Sequence, residues 1–160
     1  MARIINPFTH RLLYRPRQSE PRTRCDITSE TLRLGAAIWI IQVKRRCRSY
    51  PGTAEARISV LVKTLLRSYH EADIWNSADL HLVRLWLLIL CSISESTDQD
   101  RATSLQMMAS AIEEPTLALW DEVMSNVRQM PWADIFDAPC VTLGQRLVKS
   151  YRGRMGNETC

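Results

Sequence analysis

The chain has 160 residues, 46% apolar and 24% charged, which is enough for one domain with a true core and too apolar for wholesale disorder. The net charge of +4 belongs to the leading segment, where Arg3, Arg11, Arg15, Arg17, Arg22 and Arg24 face a single acid, Glu20; the other 136 residues hold 15 basic and 16 acidic groups. Five widely spaced cysteines (Cys25, Cys47, Cys91, Cys140, Cys160) form no C-x-x-C pair, so the sequence supports neither a structural zinc site nor a disulfide scaffold, and reduced thiols are expected.

Residues 1–25, punctuated by proline and arginine, are expected to be a basic, poorly ordered segment. Such an arm attracts nucleic acid or an anionic membrane, and its simplest reading is a solvated terminus. The lack of acids before Glu20 is a presequence trait, but Pro7 and Pro16 interrupt the amphipathic helix a mitochondrial presequence needs. No continuous apolar run marks a secretory signal.

From residue 26 to 152 the pattern predicts an all-α domain, a bundle of about five or six helices, with a frayed tail over 153–160. A first helix is expected from about Thr28 to Arg48, capped by Thr28 or Ser29, with Glu30 in its first turn. Its middle, Leu34 to Val43, is almost entirely apolar or small. Lys44, Arg45, Arg46 and Arg48 crowd its C-terminal end, where the dipole favours cations, and Tyr50-Pro51-Gly52 stops it. A second helix is expected over Ala54 to Glu71, where Ile58, Leu61, Val62, Leu65, Leu66 and Tyr69 make a one-sided stripe opposite Arg57, Ser59, Lys63, Thr64 and Arg67.

The third helix, about Ser77 to Glu95, is apolar at eleven of the fourteen positions from Leu80 to Ile93, all round its axis, and so must be surrounded. The run is shorter than the roughly 20 residues of a membrane span and contains Arg84, so it reads as the centre of a bundle. A fourth helix begins near Asp98, with Leu105, Met108, Ala109 and Ile112 on one face. A fifth starts at Pro115 and buries Leu119, Trp120, Val123, Met124 and Val127 until Pro131 breaks it. A turn containing Trp132, Asp134, Phe136, Asp137 and Pro139 leads to a last helix over Val141 to Tyr151. No segment alternates at strand period, so no sheet is expected.

Chemistry is thin. His10, His70 and His81 have no partner at metal spacing, and His70-Glu71 does not complete an H-E-x-x-H. Nucleophile elbows, Walker loops and dinucleotide fingerprints are missing, and five glycines leave little backbone to cradle a phosphate. Asp98, Asp100, Glu113 and Glu114 sit where capping and dipole effects explain them. Two candidate surfaces remain. Lys44, Arg45, Arg46 and Arg48 are candidate anion or nucleic-acid contacts, although they lie at a helix C-terminus, where a solvated, dipole-complementing end explains them equally. Trp120, Trp132 and Phe136 are candidate groove aromatics for a small molecule or peptide, with core packing as the plain alternative.

Three segments carry a family resemblance: SETLRLGAAIWIIQVKRRC (29–47), DLHLVRLWLLILCSISES (79–96) and LWDEVMSNVRQMPWADIFDAPCVTLGQRLVKSY (119–151). They are, in turn, a capped apolar helix ending in a basic cluster, a tryptophan leading into leucines and then small residues, and a W-x-E-V helix followed by an aromatic turn and a closing helix. In this order and spacing the chain resembles the C-terminal part of the fungal-specific transcription factor domain, the regulatory region that follows a zinc binuclear cluster. The resemblance implies a nuclear, non-enzymatic regulatory fragment acting by protein or ligand binding in transcription by RNA polymerase II. The six-cysteine DNA-binding cluster is not in this chain, which reads as truncated; no cofactor is therefore expected, zinc belonging to that other module. A protein partner or self-association is expected, DNA only through another module, and no membrane. Cytoplasm and mitochondrion are the alternative locations. The alternative functions are a basic-arm nucleic-acid-binding helical protein using residues 1–48 and a small helical enzyme built on His70, His81 and inward-facing acids.

Overall fold

A computed structural model describes residues 24–47, 54–71, 80–94, 97–112 and 115–157, with side chains from 26, 58–67, 80 and onward to 153 within those spans. Among them are six α-helices, one short 3₁₀ turn and no strand. The helices are α1 (Arg24–Arg46), α2 (Ala54–Glu71), α3 (His81–Ile93), α4 (Asp98–Ala111), α5 (Leu117–Val127) and α6 (Asp137–Asn157), with the 3₁₀ turn at Asp134–Phe136 between the last two. The all-α bundle expected from the periodicity is what the chain forms. The leading segment before residue 24, with His10, and the positions of Arg48 and Cys160 lie outside the described residues.

The architecture follows from α3. Every residue from Leu85 to Ser94 is buried, as an apolar surface on all sides demands. Helices α1, α4, α5 and α6 all pack against it, and α2 joins the core through α1 and α4. The closest pairing is α3 with α4, consecutive helices joined by a short connection. Small hydroxyl residues let them approach: Ser92 Oγ lies 2.8 Å from both the Leu88 carbonyl and Ser104 Oγ, and Ser104 donates to the Arg101 carbonyl at 3.0 Å. These buried hydroxyls are thus satisfied within the seam.

Local chemistry sets the helix ends. Thr97 caps α4 by accepting from the Asp100 N–H at 3.2 Å while its hydroxyl donates to Asp100 Oδ2 at 2.7 Å, a reciprocal arrangement at the capping-box spacing. Asp98 lies in the same first turn and pairs with Arg101. Thr116, not Pro115, caps α5, accepting from the Leu119 N–H at 3.1 Å. Helix α5 ends at Val127, ahead of Pro131, and the Pro131 carbonyl accepts from the buried Trp86 indole at 3.1 Å.

Several boundaries differ from expectation. Helix α1 begins at Arg24, so Thr28 and Ser29 are interior and Asp26 occupies the first turn; Glu30 instead pairs with Arg33, whose Nε donates to Glu30 Oε2 at 2.8 Å. Helix α1 ends at Arg46 and α3 at Ile93, each two residues earlier than predicted. Helix α6 begins at Asp137 rather than Val141, because Pro139 falls in its first turn, where a missing N–H costs nothing. It also continues to Asn157, past the expected end at Tyr151.

Candidate functional site

The basic cluster at the end of α1 does not form one exposed face. Lys44 is only 6% exposed, and burial holds its ammonium below the ordinary lysine range. Arg45 is half-buried and Arg46 exposed. The expected solvated patch is therefore corrected: helical rotation turns Lys44 into the bundle, and within the described residues only Arg46 of this cluster is fully presented to solvent. Arg46 reaches across to the 3₁₀ turn. Its guanidinium donates to the Ile135 carbonyl at 3.4 Å and lies 6.0 Å from the centre of the Phe136 ring, within cation–π range.

The three aromatics divide as well. Phe136 is fully buried and packs edge-on against Trp132, centroids 5.5 Å apart. Phe136 is core, not groove wall, which corrects its assignment. Trp132 is half-buried and donates to Asp137 Oδ1 at 3.0 Å; Arg128 donates to the same oxygen through Nε at 3.3 Å and Nη2 at 3.1 Å. Asp137 thereby ties the end of α5 to the start of α6. Trp120 is 4% exposed, and its indole N–H donates to the Cys140 carbonyl at 3.1 Å.

Trp120 borders a groove of about 370 Å³ between α5 and α6. Its apolar wall is Leu117, Trp120, Met124 and Val141, and Asp121, Arg128 and Gln145 bring polar groups to it. Leu117 and Val141 are more than half exposed. The other exposed large apolar residues, Leu32, Val60 and Ile135, stand apart on α1, α2 and the 3₁₀ turn. The groove is within the size range of small-ligand sites. It was only partly legible in the sequence: the stripe that buries Trp120 names one wall, but which face of the last helix meets it depends on how α5 and α6 pack.

A second pocket, of about 280 Å³, lies where the ends of α1 and α3 meet α4 and α6; Arg46, Arg101 and Arg146 line it together with Ser92, Ser94 and Thr142. No local motif announces it, since its arginines are 55 and 45 positions apart in sequence.

The candidate acid–base and thiol groups take structural places. His81, the first residue of α3, is exposed, and the His70 side chain lies outside the described residues. Burial, with a smaller push from Asp100, raises the Cys91 thiol to about 12. Burial raises Cys140 to about 12 as well, with Asp137 adding to it. Both are thus protonated at neutral pH. Among the described residues no three His, Cys, Asp or Glu side chains gather as a metal site would require, and no helix is long and apolar enough to cross a membrane. No protein-family model, curated protein or solved structure matches this chain.

Proposed function

We propose that this chain is a non-enzymatic regulatory domain of the fungal transcription factor type, acting in the nucleus on transcription by RNA polymerase II through a protein or ligand bound at its surface. One observation carries the reading. The three resembling segments, 29–47, 79–96 and 119–151, are separated in sequence, yet their helices α1, α3, α5 and α6 share one interior, with α3 packed against each of the others. The likeness therefore spans helices that pack on one common core helix. The groove between α5 and α6 is the surface we assign to the bound partner or ligand, because Leu117 and Val141 on its apolar wall are exposed and its rim is charged.

The test is tethering. The full chain is fused to an unrelated DNA-binding module and directed to a reporter promoter in a fungal host. Reporter output several-fold above or below that of the module alone is expected. Leu117→Asp and Val141→Asp should remove the effect, and Val60→Asp, on an exposed site of α2, should keep it. Output equal to that of the module alone from a folded, nuclear fusion would overturn the proposal.

A further inference from the structure

We infer that the pocket bordered by Arg46, Arg101 and Arg146 is a binding site for a small, doubly charged oxyanion of the phosphate-monoester class. The inference goes beyond the regulatory reading and does not rest on it. The three arginines come from α1, α4 and α6, and among the described residues no acid lines the pocket with them. Arginine cannot shed its proton, so three such side chains on one pocket repel, and a bound anion relieves that repulsion.

The relief already present is slight. Arg101 pairs with Asp98 at 3.2 Å, but that carboxylate is fully exposed and the pair is screened by water. Arg46 is held by a neutral carbonyl and a ring face, which orient it without cancelling its charge. Arg146 is exposed and makes no ion pair among the described residues.

A simpler account makes these arginines complements of helix dipoles. It works for Arg46, in the last turn of α1, where a cation is favoured. It fails for Arg101, the fourth residue of α4, because a cation in the first turn opposes its own helix dipole. It fails also for Arg146, in the middle of α6. The first turns of α4 and α6 border the pocket through Arg101 and Pro139, and helix N-termini favour anions. The Ser92 and Ser94 hydroxyl protons are engaged by the Leu88 and Leu90 carbonyls, so the donors to a ligand are the guanidiniums and Thr142. Guanidinium forks match the oxygen pairs of a phosphate better than any point charge. A volume of about 280 Å³ sits at the lower edge of ligand sites, which suits a phosphate with a small organic group and not a dinucleotide.

The experiment is thermal unfolding of the full chain in rising inorganic phosphate, against sodium chloride of equal ionic strength, with phenyl phosphate as a monoester. We expect a saturable rise in Tm with phosphate and phenyl phosphate beyond that in chloride. Arg146→Gln should weaken the apparent affinity about tenfold, as loss of one charge-assisted contact does, and Arg101→Gln with Arg146→Gln should abolish the rise. Arg152→Gln, at an exposed position one or two turns further along α6, should leave it intact. Equal stabilisation by chloride, or a phosphate response retained in the folded double variant, would overturn the site.

Discussion

Gly144 shows how one missing atom sets the packing of two helices. A Cβ built there would fall inside the Trp120 indole, 2.8 Å from Cγ and nearer still to Cδ1 and Nε1. The absent side chain lets α5 lie close enough to α6 for the Trp120 N–H to reach the Cys140 carbonyl, an oxygen with a second lone pair free of the helical ladder. Gly144→Ala should force the rigid indole outward and break that bond. A loss of about 3 kcal/mol is expected from overpacking together with an unmade buried hydrogen bond, read as a lower urea midpoint at unchanged slope. At Gly35 a Cβ would meet the tip of the buried Leu87 side chain first and the Trp86 ring at 3.3 Å. An unchanged urea midpoint in Gly144→Ala would remove the indole from the explanation. Not every buried group is so well provided for: the buried Gln42 amide nitrogen on α1 has no hydrogen-bond partner among the described residues.

At the scale of the helix, the start of α4 depends on Thr97, whose hydroxyl both caps the Asp100 N–H and donates to the Asp100 carboxylate. Asp100 is itself buried, so loss of Thr97 strips a partner from an enclosed acid as well as a cap. Thr97→Ala should destabilise the fold by about 1–2 kcal/mol, whereas Thr97→Ser should lose little; equal losses in equilibrium unfolding would mean that the methyl group, not the hydroxyl, is what matters. Helix α2 was legible in the sequence and matched its predicted span because its stripe is one-sided. Boundaries failed where two local signals competed. Thr28 and Ser29 are good caps, but Asp26 supplies a first-turn acid and Ile27 packs against the core, so α1 starts earlier. Pro139 reads equally as a turn residue or as a first-turn residue, and tertiary packing of Cys140 and Leu143 decides for the helix. The arginine pocket was not legible. Arg46, Arg101 and Arg146 become neighbours only through the arrangement of helices around α3, which no local spacing encodes.

At the scale of the whole molecule, Cys91 and Cys140 sit on α3 and α6, in the same core, and report on its integrity together. Both folded-state thiols are raised to about 12, against an ordinary value of 9.0. The folded chain therefore keeps protons that the unfolded chain releases above pH 9, and linkage fixes the sign. Their contribution to stability is fully present below pH 9 and is lost as pH rises through the interval from 9 to 12. At pH 10 each thiol should account for a loss of about 1.4 kcal/mol, about 3 kcal/mol for the pair. Urea unfolding at pH 8 and pH 10 measures the loss, and comparison with a Cys91→Ala, Cys140→Ala variant removes the lysines and tyrosines that ionise in the same range. The variant should be less stable at pH 8 because of the cavities it creates, yet should lose less on going to pH 10. An identical pH dependence in the two proteins would mean that water reaches these sulfurs, and that α3 is not enclosed as its apolar surface requires. Cys47, exposed at the end of α1, serves as the internal reference: a thiol reagent should label it in the native chain at pH 8 while leaving the two core cysteines untouched.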